Sequence, residues 1–216
     1  TGEMAHARDG HAATLLRDGR VLVTGGRNGW PDTGASGMDQ NNFSAEVYDP
    51  ATGRFEATGD MASPRRGQSS TLLDDGRVLV IGGTGGTSEG TPLAELYDPS
   101  TERFTPTGQP QTSRSNHAAV SLLDGTVAII GGSADAALAT HVEIFDPVTE
   151  TFRSGTDDAL LDRVHPSAVR LPDGRVMVAG GDDFPGADPA RVLSRVAIWD
   201  PVTDAVLDLG SGSAAP

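Results

Sequence analysis

The chain is 216 residues long, carries a net charge of −14, has no cysteine, and draws all 16 of its basic residues from arginine. The length suits one domain or two small ones. The missing thiols exclude disulfide scaffolds, cysteine nucleophiles and thiolate metal sites, and the acidic balance argues against a nucleic-acid or anionic-membrane surface, since those partners are held by neutralising phosphates. Glycine and proline make up about a fifth of the residues, which is turn-rich without reaching the level of a disordered chain. No apolar run approaches the ~18 residues of a membrane-spanning helix, so membrane insertion is not predicted.

Taken in chain order, the predicted elements repeat. DGRVLVTGG at Asp18–Gly26 returns as DGRVLVIGG at Asp75–Gly83, DGTVAIIGG at Asp124–Gly132 and DGRVMVAGG at Asp173–Gly181. The first glycine of each pair is Gly25, Gly82, Gly131 and Gly180, at intervals of 57, 49 and 49 residues. A second block follows each first one: AEVYDPATGRF from Ala45, AELYDPSTERF from Ala94, VEIFDPVTETF from Val142 and VAIWDPVTDAV from Val196. Each unit reads as four strands. Strand a precedes the Asp-Gly turn, which signals a two-residue type I′ hairpin. Strand b is a continuous apolar run, as in a strand buried on both faces. Strand c carries an aromatic, and the Asp-Pro turn leads to strand d, with proline fixing φ and aspartate accepting local amides.

Four-stranded antiparallel units at this period predict an all-β chain of β-propeller blades, over residues 5–59, 62–108, 112–155 and 162–210. The glycine pairs, the strand c aromatics Tyr48, Tyr97, Phe145 and Trp199, and the later aromatics Phe55, Phe104 and Phe152 resemble kelch repeats across nearly the whole chain. The kelch pattern has tryptophan in the later slot. This chain has phenylalanine three times and Val206 in the fourth unit, whose outer strand is predicted to pack least well. Kelch propellers resembling this one have five to seven blades, so the four are expected to belong to a larger propeller. A closed four-blade ring or self-association of an open arc is the alternative, because a bare blade flank of ~500 Å² forgoes roughly 12 kcal/mol.

Strand direction puts the d–a linkers and b–c loops at one end of each blade and the two repeated turns at the other. The b–c loops hold 18, 10, 9 and 14 residues; variable loops on a repeated frame are where binding concentrates. The same end holds Arg8-x-x-His11, Arg65-x-x-Gln68, Arg114-x-x-His117 and Arg163-x-x-Pro166, with His165 one position earlier in the fourth, and Arg27-Asn28 after the first glycine pair. The resemblance to kelch domains that capture acidic peptides implies a ligand pocket of Arg8, His11, Arg27, Asn28, Arg65, Arg114, His117, Arg163 and His165, suited to carboxylates or polyols. The competing reading is that the repeated arginine joins adjacent blades by bonding a carbonyl or an aspartate.

Catalytic chemistry is not evident. The slot occupied by His11 and His117 continues with Gln68 and Pro166, which breaks any metal-binding ring, so neither metal nor cofactor is predicted. His6 and His141 are isolated, and Asp157-Asp158 and Asp182-Asp183 read as solvated pairs. The copper-radical oxidases with kelch-like propellers need, as that resemblance implies, a Tyr–Cys crosslink that a chain without cysteine cannot supply. The reading is a non-catalytic kelch-repeat module, extracellular or periplasmic, that recognises a protein or glycan through the b–c loop face. The alternative is the propeller portion of a carbohydrate oxidase or epimerase whose catalytic residues lie largely elsewhere.

Overall fold

The computed structural model describes residues 2–27, 42–85, 94–134, 137–139, 141–182 and 192–211. Blade 1 comprises β1 (Ala12–Leu15), β2 (Val21–Thr24), β3 (Ala45–Asp49) and β4 (Arg54–Ala57). Blade 2 comprises β5 (Ser69–Leu72), β6 (Val78–Ile81), β7 (Ala94–Asp98) and β8 (Arg103–Pro106). Blade 3 begins with β9 (Ala118–Ser121) and β10 (Val127–Ile130), makes a small hairpin from β11 (Ser133–Ala134) and β12 (Ala137–Leu138), and ends with β13 (Glu143–Asp146) and β14 (Thr151–Ser154). Blade 4 comprises β15 (Ser167–Arg170), β16 (Val176–Ala179), β17 (Arg195–Trp199) and β18 (Val206–Ser211). Each blade is a four-stranded antiparallel sheet with strands in sequence order, and no helix occurs among the described residues. These are four blades of a β-propeller, as the repeat predicts. They fall into two compact units, residues 1–109 with blades 1 and 2 and residues 110–216 with blades 3 and 4.

The apolar b strands form the centre of the packing. Val78–Ile81 and Val127–Ile130 are buried at every position, and a fully buried side chain of this size contributes about 1.5–3 kcal/mol. In the first unit Leu16, Leu22, Val47 and Met61 meet Val80 and Tyr97. In the second, Leu122, Ile130 and Ile144 meet Val178 and Trp199. The strand c and strand d aromatics face each other across the ladder. Tyr48–Phe55, Tyr97–Phe104 and Phe145–Phe152 have ring centroids 4.9, 4.8 and 4.9 Å apart, a tilted geometry that adds to simple burial. In blade 4 Trp199 is paired with Val206 instead, and Val206 still packs against the core.

The Asp-Gly turns depart from the predicted type I′ geometry, which needs positive φ at both central residues. Only the glycine has it: Gly19 lies at φ 89° and Asp18 is not among the positive-φ residues. Leu16 donates to Arg20 O at 2.8 Å and Gly19 donates to Leu16 O at 3.1 Å, so the loop has three residues and ends on a left-handed glycine, the bulged hairpin form. The cause is the aspartate. Asp18 Oδ1 accepts the Arg20 amide at 3.0 Å, and the same bond recurs from Arg77 to Asp75, Thr126 to Asp124 and Arg175 to Asp173. The Asp-Pro turns behave as predicted, with Asp49, Asp98, Asp146 and Asp200 each accepting the amide two residues on.

Candidate functional site

The repeated arginine and the repeated glycine pair form one device. Gly25 and Gly26 turn the chain with φ of 63° and 91°, which frees the Gly25 carbonyl to accept Arg8 Nη1 at 2.7 Å. The Arg8 guanidinium continues to Ser44 O at 2.8 Å and to Glu46 Oε1 at 2.8 Å. It thus straps the start of strand a to the start of strand c within one blade. Blade 2 repeats the strap, Arg65 reaching Gly82 O at 3.0 Å and Glu95 at 2.7 Å. So does blade 3, where Arg114 reaches Gly131 O at 3.1 Å, His141 O at 3.0 Å and Glu143 at 2.8 Å. The arginine backbone turns the other way: Gly26 donates to Arg65 O and Gly132 to Arg163 O, both at 2.8 Å. Arg65 and Arg163 thus each brace their own blade with the side chain and hold the preceding blade of the same unit with the carbonyl.

The structure therefore puts Arg65, Arg114 and Arg163 inside the protein, at 3%, 1% and 1% exposure, with the Arg8 side chain at 0%. They do not present a row of open guanidiniums. The side chains do not bridge adjacent blades either: they bond carbonyls of their own blade and, in blades 1 to 3, a buried glutamate, while the bond to the preceding blade is made by the backbone carbonyl of Arg65 and Arg163. Sequence reading overlooked Glu46, Glu95 and Glu143, although the recurring Ala-Glu, Ala-Glu and Val-Glu at the start of strand c was the available signal. Burial alone would raise the Glu46 carboxyl, but the Arg8 hydrogen bond and the Ala5 amide outweigh it and hold the group below its ordinary value. Burial pushes Arg114 down, with Glu143 opposing.

The position before the His11 slot reads Gly10, Gly67, Asn116 and His165, and all four have positive φ, of 68°, 66°, 55° and 53°. His165 thus stands at the left-handed turn position, which histidine and asparagine tolerate better than most residues. Its amide donates to Asn116 O at 2.8 Å, as Gly67 does to Gly10 O at 3.0 Å, while its ring faces Asp182 at 3.2 Å and stays 61% exposed. In the following slot Gln68 donates Nε2 to Thr24 O of the preceding blade at 2.8 Å. His11 is exposed. Burial, and then the charge of Arg114, depress His117 to about 3, so its ring is neutral at physiological pH. Arg27 is half-buried and meets Asp9 at 3.4 Å. Asn28, the remaining predicted residue, lies outside the described residues.

At this end every blade closes with one antiparallel bridge between the residue after the arginine and the residue after the glycine pair. The bridges are Asp9–Arg27, Arg66–Thr84, Ser115–Ser133 and Val164–Asp182. The backbone is the same four times and the side chains differ four times. No cluster of three or more His, Asp or Glu with metal-binding spacing exists among the described residues. Comparison of the chain with family models and with curated proteins finds no match.

Proposed function

We propose that the chain is a non-catalytic kelch-type propeller module that binds a protein or carbohydrate ligand at the end carrying the b–c loops. The four closing bridges support this reading. They display an ion pair, a basic–hydroxyl pair, a hydroxyl pair and an apolar–acidic pair on one repeated backbone, which is how a rigid frame offers varied contacts. Because the repeated arginines are consumed within the blades, the ligand contacts fall to Arg27 and the exposed Arg66, His11 and His165. The test is an array of glycans and acidic peptides probed with the wild-type chain, Arg27→Ala and Arg66→Ala. Ligands found with the wild type should be lost by these variants at an unchanged melting temperature. Loss on changing turn residues such as Arg20 and Arg77, with Arg27→Ala and Arg66→Ala still binding, would place the site at the other end and overturn the proposal.

A further inference from the structure

The turn end of the second unit contains a cavity of about 170 Å³ between blades 3 and 4, roughly the room of a single six-membered ring. Its walls are Leu122, Leu123, Ile144, Trp199, Pro201 and Val202. Leu123 and Val202 are apolar yet 66% and 91% exposed at its lip. The Trp199 indole N–H, buried and without an acceptor among the described residues, belongs to the residue at its floor.

The first unit shows what closes this place elsewhere. Between blades 1 and 2, Tyr97 occupies the Trp199 position and its hydroxyl meets Thr58 Oγ1 at 2.7 Å. The Thr58 position in blade 3 is Gly155, which lines the cavity. Arg17, which donates to Asp74 O across the turns of blades 1 and 2, is replaced by Leu123. The groove of the first unit is accordingly lined by Arg17, Asp18, Asp75 and Arg77 and does not include Tyr97. With Gly155 in place of the Thr58 side chain and Leu123 in place of the Arg17 cation, the hollow of the second unit reaches the buried Trp199.

The mouth of that hollow is acidic. Asp124, Asp200 and Asp204 line it without a close ion pair among the described residues, Asp173 is paired with Arg175 at 2.7 Å, Arg175 also attracts Asp200, and Arg153 is the one cation among the described lining residues. Asp173 and Asp200 are held below the ordinary carboxylate value by turn hydrogen bonds, chiefly from Arg175 and from the Val202 amide respectively, so the field persists at neutral pH. The geometry points to a binding site for a small organic cation, its apolar body in the hollow between blades 3 and 4 and its ammonium at the aspartate mouth. It stands where Arg17 supplies a cation in the first unit, and it is independent of the b–c loop face.

The test uses the full chain with Trp30→Phe, which leaves Trp199 as the only tryptophan and the fluorescent reporter. Phenethylamine, benzyl alcohol and phenylacetate are titrated in turn. Phenethylamine should quench or shift Trp199 and bind about tenfold or more tighter than phenylacetate, with benzyl alcohol between them. Leu123→Arg restores the first unit's arrangement at an exposed position; it should abolish binding and leave the melting temperature unchanged. Equal affinity for amine and carboxylate, or an unaltered titration in Leu123→Arg, would overturn the assignment. So would the absence of any Trp199 response to phenethylamine at millimolar concentration. None of these results bears on the array experiment above.

Discussion

Ala197 stands in blade 4 where Glu143 stands in blade 3, and Arg163, the counterpart of Arg114, is bonded among the described residues to carbonyl oxygens alone, those of Leu160, Gly180 and Arg195. Burial pushes Arg163 below its ordinary value, and Arg195 adds to the effect. Among the described residues the fourth strap is a cation with no ion-paired anion.

That difference separates two otherwise equivalent substitutions. Arg114→Met takes the guanidinium from the fully buried Glu143 carboxylate, which keeps only the Gln111 and Thr112 amides and the His141 ring beside it, and should cost about 3–5 kcal/mol. Arg163→Met strands no charge and should cost only about 1–3 kcal/mol, the value of hydrogen bonds from a charged donor. Urea denaturation of the two variants measures the gap, and equal losses would show that the glutamate contributes nothing to the strap.

Asp162 gives the fold a pH dependence of known sign. Its carboxyl is pushed up to about 6, first by burial and then by Asp157 and Asp158, against the opposing His141 and Arg114. A folded value above the ordinary 3.8 means the native state favours the neutral acid. Its stabilising contribution is therefore complete at low pH and is lost as pH rises through about 6. Asp162→Asn should melt above the wild type at about pH 7 and lose that advantage by about pH 4. Glu46, lowered in the fold, acts in the opposite sense and loses its contribution as pH falls below its ordinary 4.5. The wild type and the Asp162 variant share that acid-side loss, so their difference isolates Asp162.

Gly25 is fixed by both conformation and space. It has φ +63°, and an added Cβ would lie 2.5 Å from Arg65 O. Gly19 has φ +89° with nothing within 4 Å of such a Cβ. Gly19→Ala should cost about 1–2 kcal/mol for the left-handed backbone alone. Gly25→Ala should cost clearly more, because the blade joint must open as well. Melting curves of the two variants make the comparison.

The Thr58–Tyr97 hydroxyl pair is testable in the same way. Tyr97 is 0% exposed, so Thr58→Val leaves a buried phenol unpaired and should cost about 1–3 kcal/mol. Thr58→Ser, which keeps the hydroxyl, should recover most of that loss in the same unfolding assay.

The blades were legible in the sequence because period and turn chemistry are local. Asp18-Gly19 and Asp49-Pro50 announce their turns, and Val78–Ile81 announces a strand buried on both sides. The turn type was not, since the choice depends on whether Asp18 takes positive φ itself or captures the Arg20 amide. The arginines were legible as a repeat but not as a strap: Arg8 and Glu46 are 38 residues apart, and only the folded ladder brings them together. The cavity was least legible of all. It arises from Gly155, Leu123 and Trp199, each an ordinary departure from the repeat, which matter only because two neighbouring blades bring them to one place.

The double duty of the arginine has a consequence for how such a chain can change over generations. Since the carbonyl that joins a unit to the one before it and the guanidinium that braces the unit itself belong to one residue, a copied segment arrives with its own coupling already installed. Tandem duplication or deletion of whole units then needs no newly invented contact, and the side chains on either side of the closing bridge remain free to diverge. Blade 4 has Ala197 in place of the glutamate, yet Arg163 there makes both the carbonyl joint to blade 3 and the guanidinium contacts to Gly180 O and Arg195 O.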